Sequence, residues 1–441
     1  MSIPVVTLGR SASDCVPALE RLRGPVTVVR RCDEFAELLA ACQTGIARAA
    51  VIAADAVELT SSLLERLHAA EVAVVALTDD SDTQEKLRVL DVRCVPTAVH
   101  SEVLSDELAA AVTDLELRGT SALRTALADP SQSLAPRSAE PDDLPEPDGQ
   151  GTLSVIWGPT GAPGRTIIAV NLAAELAADG SRVLLIDADT YGASVAAFLG
   201  LLDESAGIAQ ACRVADQGSL NADALLRLCS EIPLKGQVLH VLTGITRPDR
   251  WAEVRPAALG LVLGMALSVF DAVIVDCGFG LEADEELSFD TLAPRRNGAT
   301  LRCLELADEV YAVGSADSVG VPRLVRGIAE LEDAVPSVAP RVVLNKVRAS
   351  SVGRSPERQL REAWERFGPQ AAIGAFLPAD FDAADGALLK GQTLLESAPT
   401  SPLRLALMQL AGGPLEQRRR TSSGPTHKEM KFPGSGVRLS Q

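Results

Sequence analysis

Lysine is scarce in this 441-residue chain, and none occurs between Lys86 and Lys235. Most basic groups are arginines, which suit fixed, forked contacts better than loose point charges. Acids outnumber bases, 59 to 41, and the net charge is −18. That balance excludes broad nucleic-acid binding, which needs a basic footprint. The eight cysteines form no Cys-x-x-Cys pair, and several sit in apolar segments, Cys277 among them. They read as reduced core residues of a cytosolic protein. The four histidines are scattered, which argues against a zinc cage; His240, in an alternating stretch, reads as structural. No N-terminal targeting pattern is seen. The longest apolar run, Ala257 to Phe270, is too short to span a bilayer and ends at Asp271.

What is present is an alternation of short apolar runs with helical patterns. Val5–Leu8, Val26–Val29, Ala50–Ala53 and Val72–Leu77 read as parallel strands. Residues 33–42, 61–70, 82–90 and 105–115 read as helices between and after them. The expectation for residues 1–125 is a doubly wound α/β domain. Its order resembles a response-regulator receiver, with Asp55 and Thr78 at two of the expected positions. The first strand leads into Gly9-Arg10 without the acidic pair, and the fifth-strand lysine is missing. Without the acids there is little to hold Mg2+. The resemblance therefore implies a pseudo-receiver, an interaction module in which Asp55 is a surface acid. Residues 126–150, rich in Pro, Ser and acids, read as a linker. A second doubly wound domain is expected over 151–412, with Leu403–Leu410 as a core-packing helix. A disordered basic tail is expected over 413–441.

The second domain opens with an apolar run, Leu153 to Trp157, then Gly158-Pro159-Thr160-Gly161-Ala162-Pro163-Gly164-Arg165-Thr166, then a helical pattern to Asp179. Strand, glycine turn and helix N-terminus together point backbone N–H groups at a phosphate. The phosphate-binding loop pattern asks for Gly-Lys-Ser/Thr at its end, and here Arg165 stands in the lysine's place. Two further apolar strands each deliver acids: Val183–Ile186 leads to Asp187-Ala188-Asp189, and Ala272–Val275 leads to Asp276. In an open parallel sheet such strand ends share one edge, where ligands bind. Thr166, Asp187, Asp189 and Asp276 are therefore expected to converge.

Those motifs, with Val343-Leu344-Asn345-Lys346-Val347 and Leu377-Pro378-Ala379-Asp380, occur in the order seen in the MinD/ParA family of deviant-Walker ATPases. With a pseudo-receiver in front, the chain resembles the CpaE/TadZ branch of that family, which helps place pilus and type IV-like secretion machinery. The resemblance implies ATP or ADP with Mg2+ as cofactors. It implies Thr166 as the Mg2+ ligand, with Asp187 and Asp276 in the metal's water shell. Asp189 and Asp276 would be catalytic, Asp189 orienting the attacking water or meeting a dimer partner. Gly161, Ala162, Gly164, Arg165 and Thr166 would hold phosphates, Asn345 would read the adenine edge, and Pro378 and Asp380 would flank the base.

Two departures bear on activity. The family's signature lysine falls at Thr160 and its Walker lysine at Arg165. Pro163 also removes one N–H from the phosphate nest. The expectation is that nucleotide binding survives these changes and fast hydrolysis does not. Arg295 and Arg296 read either as a replacement for the lost crossing lysine or as a solvated pair facing Glu285, Glu286 and Asp290. The functional expectation is a cytoplasmic positioning or assembly factor for pilus or secretion machinery, working as an ATP-dependent homodimer. Membrane contact is at most peripheral at the inner face, and no specific nucleic acid is expected. The alternatives are a pseudo-ATPase scaffold and a septum-site or chromosome-partitioning ATPase.

Overall fold

The computed structural model describes residues 2–22, 24–126, 151–161, 163–201, 206–282 and 295–422. Ala162, nearly all of the expected linker, and the tail beyond 422 lie outside the described residues, as do Glu285, Glu286 and Asp290.

Five strands form the first sheet: β1 (Ile3–Leu8), β2 (Val26–Cys32), β3 (Ala49–Ala53), β4 (Ala73–Leu77) and β5 (Arg93–Val95). Their order is β2-β1-β3-β4-β5, and every pairing is parallel. The central strands β3 and β4 are buried at every position, which is why they read as unbroken apolar runs. Alternate residues face two cores. Val6, Ile52 and Val74 meet helices Phe35–Gln43, Ser61–Ala69 and Ser81–Val89 on one face. Val5, Val51 and Val75 meet helices Arg10–Leu22 and Ser101–Ala126 on the other. The sequence gives no clear sign of the first of these, because Pro17 sits inside it. Parallel neighbours need a crossover of a dozen or so residues, and β1 pairs parallel with β2.

Eight strands form the second sheet: β6 (Thr152–Trp157), β7 (Val183–Ala188), β8 (Ser230–Leu234), β9 (Gln237–Leu242), β10 (Ala272–Cys277), β11 (Glu309–Ser315), β12 (Arg341–Val347) and β13 (Ile373–Pro378). The order is β13-β12-β11-β6-β10-β7-β9-β8. Only β8 runs antiparallel, joined to β9 by a hairpin at Lys235-Gly236 with φ of 45° and 87°. Both turn residues are left-handed, as the tightest hairpin turns require. Helices cover both faces, so this domain is doubly wound as well. From β6 the chain moves outward to β7, and from β10 it crosses back to β11. The order therefore reverses at the β6/β10 pair, and a crevice opens at the ends of those two strands. On one face Leu403, Leu407 and Leu410 are buried as expected, but their helix, Pro402–Ser422, continues past the anticipated end at 412.

The apolar helix Pro256–Val269 explains how the two sheets meet. It is hydrophobic nearly all round, the mark of a helix buried on more than one side. Its Leu261 packs against the second domain's core and also against the first domain's core. Beside it, Asp216 Oδ1 accepts from Ser61 Oγ at 2.7 Å, Ser62 N at 2.9 Å and Ser62 Oγ at 2.7 Å. His240 lies on β9, edge-on to Phe270 at 5.1 Å, with burial holding its pKa down. Among the described residues no helix is long and apolar enough to cross a membrane.

Candidate functional site

The crevice at the β6/β10 reversal is built around the turn after β6. Gly161 and Gly164 adopt φ of 110° and 96°, conformations that side chains resist. Gly164 forms the N-cap of helix Arg165–Ala178. The chain thus doubles back so that the helix N-terminus faces the crevice. Asn345, on β12, supports the turn from below. Its Nδ2 donates to Pro163 O at 2.8 Å, and its Oδ1 accepts from Lys346 N at 2.8 Å. Asn345 is buried and both ends of its amide are taken by the protein. Each end of the amide keeps one further N–H or lone pair, and the bonds made here brace the loop.

Arg165 turns back over the loop. Its Nη1 donates to Gly158 O at 2.9 Å, and its Nη2 lies 3.3 Å from Asp189 Oδ2. Only 12% of the Arg165 side chain and 9% of that of Asp189 is exposed, so this pair sits within the site wall. Asp189 Oδ1 accepts from Tyr191 N at 2.8 Å and Gly192 N at 3.1 Å. One oxygen of this carboxylate shapes the loop after β7 and the other holds Arg165.

Thr166, Asp187 and Asp276 do come together. Thr166 Oγ1 donates to Asp276 Oδ2 at 2.6 Å and lies 3.2 Å from Ser194 Oγ. Asp187 Oδ2 accepts from Ser194 N and Val195 N, both at 2.9 Å, and its Oδ1 accepts from Asp189 N at 3.2 Å. β7 and β10 pair so that Asp187 and Asp276 stand opposite each other. Burial pushes the Asp187 carboxyl up to about 7, against the pull of its backbone donors. Burial also holds Asp276 well above the usual carboxylate range, and Asp187 next to it adds to the effect. Asp276 Oδ1 is buried without a hydrogen-bond partner.

Pro378 ends β13, and Asp380 caps the following helix, Phe381–Lys390. Asp380 Oδ1 accepts from Ala383 N at 3.2 Å, and its Oδ2 accepts from Ser401 Oγ at 2.7 Å. These bonds make it a local cap, while Phe381 beside it lines a pocket of about 320 Å³ next to the turn. Arg295 is exposed. Arg296 donates to Thr190 O at 2.9 Å and stacks over Tyr191 at 3.9 Å. It is held within its own chain, tying the segment after β10 to the loop after β7. Tyr191 Oη reaches Asn297 at 2.7 Å, and its ring meets Phe279 at 4.7 Å.

Ser194, Tyr191 and Asn297 carry no sequence signal of their own. Gly244 is a glycine for a reason the structure shows: a Cβ there would lie 2.7 Å from Asp187 Cγ. Only glycine lets the segment after β9 pass that close.

A comparison with known proteins agrees with this geometry. Residues 154–388, more than half of the chain, match the family description "CobQ/CobB/MinD/ParA nucleotide binding domain". A 40-residue stretch is 62% identical to the iron-sulfur cluster carrier protein of Deinococcus radiodurans, spanning 9% of this chain and 11% of that protein. Among solved structures, the ParA family ATPase from Chlorobium tepidum TLS is similar at 19% identity and a TM-score of 0.47, over 59% of this chain and 98% of that one. The cell division ATPase MinD of Pyrococcus furiosus is similar at 20% identity and a TM-score of 0.45, over 61% and 99%. The glycine turn, the helix after it and the two buried acids all lie within the matched residues. This chain belongs to the CobQ/CobB/MinD/ParA nucleotide-binding domain family.

Proposed function

We propose that this chain binds ATP or ADP together with Mg2+ and works as a slow nucleotide switch. One observation supports this above the others: Asp276 Oδ1 is buried and unpartnered beside Thr166 Oγ1. A buried acceptor of this kind is costly unless a cation or an ordered water completes it. Among the described residues, no cluster of three or more His, Cys, Asp or Glu is arranged to cage a metal directly. That suits Mg2+, which keeps several of its waters. Thr166 would be its direct protein ligand, with Asp187 and Asp276 reaching it through water. When bound, Mg2+ neutralises phosphate charge. The turn's N–H groups and the helix N-terminus would hold the phosphates. Gly161, Gly164, Arg165 and Thr166 supply that cradle, with Pro378 and Asp380 on the base side.

Slow turnover follows from what the residues are already doing. Asp189 is held by Arg165 and two backbone N–H groups. A carboxylate spent that way is a poor orienter of water. The resident group then sets a state more than it drives a reaction.

We further infer that the switch controls self-association and serves the placement of pilus or type IV-like secretion machinery, from the cytoplasm and with no more than peripheral membrane contact. The first domain would recruit partners as a pseudo-receiver. Its strand order, β2-β1-β3-β4-β5, is that of flavodoxin-like folds. Where a receiver needs acids after its first strand, a Cβ on Gly9 would meet Ala53 and Ala56, each at 2.7 Å. A scaffold that binds no nucleotide is the second reading, favoured by Thr160 and Arg165 in the places of the two lysines. Calorimetry with millimolar ATP and ADP, with and without Mg2+, separates the two. Mg2+-dependent binding is expected, and no heat in any arm would establish the scaffold.

A further inference from the structure

The turn after β6 lacks both lysines of its family's loop, and its own arginine is spent. Arg165 is committed to Gly158 O and Asp189, and Thr160 carries no charge. A nucleotide's terminal phosphates would bring several negative charges to a chain already at −18. A cation from elsewhere is needed to meet them.

Arg323 is placed to do so. It lies in the first turn of helix Gly320–Ala334, which follows β11. Its guanidinium reaches back over the turn, so that a Cβ built on Gly161 would lie 2.5 Å from Nη1 and 3.6 Å from Cζ. The absence of a side chain at Gly161 is what lets the guanidinium lie against the backbone there. Arg323 is exposed, and while its backbone N–H donates to Val319 O at 3.3 Å, its guanidinium makes no hydrogen bond or ion pair within the described residues. The acid in the same pocket is already occupied: Asp317 accepts from Val319 N at 3.0 Å, Gly320 N at 2.7 Å and Ser315 Oγ at 2.7 Å. Arg348, also in that pocket, donates to Lys346 O at 3.0 Å. A forked cation without an anion thus rests on a loop whose glycines turn the backbone toward a phosphate.

We propose that Arg323 contacts the terminal phosphates of the nucleotide from within the same subunit, replacing the lysine absent at Thr160. The inference rests on the nucleotide-binding reading above. It assigns to helix Gly320–Ala334 the task for which Arg295 and Arg296 are the other candidates.

The test is calorimetric titration of the full chain with Mg-ATP and Mg-ADP, comparing wild type, Arg323→Ala and Arg323→Lys. Because Arg323 is exposed, thermal unfolding of both variants should match wild type. Arg323→Ala should weaken affinity for at least one nucleotide by about tenfold or more, the worth of a charge-assisted contact. Arg323→Lys should recover much of that loss, which a purely structural role would not produce. If wild type binds and Arg323→Ala binds both nucleotides equally well, the inference falls while nucleotide binding stands. An Arg323→Lys variant as weak as Arg323→Ala also overturns it. If wild type binds neither nucleotide, both readings fall together.

Discussion

Thr166 Oγ1 and Asp276 Oδ2 are 2.6 Å apart, and this bond leaves the other oxygen of Asp276 facing the crevice wall without a donor. The relationship links the first turn of a helix to the end of a neighbouring strand. It also makes Asp276 expensive to keep when no cation is present. Asp276→Asn should stabilise the metal-free protein, by about 1–3 kcal/mol. The same change should abolish any rise in stability on adding Mg2+ with nucleotide. Chemical denaturation in chelator and in Mg-ADP measures both effects. A variant that still gains stability from Mg-ADP would move the metal site away from β10.

Arg165 invites the reverse substitution. A guanidinium reaches Gly158 O and Asp189 together, whereas a compact ammonium cannot span both. Arg165→Lys should free Asp189 and raise ATP turnover above wild type. Arg165→Ala should loosen the turn by releasing Gly158 O and Asp189, and weaken nucleotide binding less than Arg323→Ala does. Steady-state phosphate release and calorimetry check the pair. Turnover in Arg165→Lys no faster than wild type would show that Asp189 is not what limits hydrolysis.

Much of this site was legible in the sequence, because strand ends are marked by composition. Asp187 and Asp276 each end an apolar run, and parallel pairing of those runs puts them side by side. The glycine turn announced itself through residues that tolerate positive φ. What could not be read were side-chain directions. The bonds Asn345 makes to the loop are one example, since its neighbour Lys346 takes a left-handed backbone (φ 59°) that brings the lysine N–H to its Oδ1. Arg323 lies more than a hundred and fifty positions from Gly161, and nothing local to either residue marks the contact. In the first domain, Pro17 hid a helix that only the parallel pairing of β1 with β2 demands.

The contact between the domains can be loosened by one atom group. Ser61 and Ser62 are buried against Asp216. Asp216→Ala leaves two hydroxyls and one backbone N–H without their acceptor. Denaturant unfolding should lose about 1–3 kcal/mol or separate into two transitions. A single transition at the wild-type midpoint would show that the helix Pro256–Val269 contact alone holds the domains together.

The cysteines should resist alkylation in the native state. Burial pushes the Cys42 thiol up to about 11 and Cys229 to about 12 and raises Cys212 as well, while Cys277 is raised first by its hydrogen bond with Cys303 and then by burial. Thiolate is the reactive form. Native treatment with iodoacetamide followed by mass spectrometry should find Cys42, Cys212, Cys277 and Cys303 unmodified, with Cys15 and Cys94 labelled first. Rapid labelling of Cys277 would mean that the crevice opens wider than this arrangement allows.

The hairpin of β8 and β9 bears on how copies of this protein can meet. An outer strand with unpaired peptide groups is an invitation to a stranger's strand. β8 is five residues long and carries Pro233, which has no N–H to offer, and Glu231, whose charge resists a neighbour. On that side, then, the sheet cannot readily grow by borrowing strands from other molecules. Copies that meet at this edge would have to do so through side chains and not through a shared ladder.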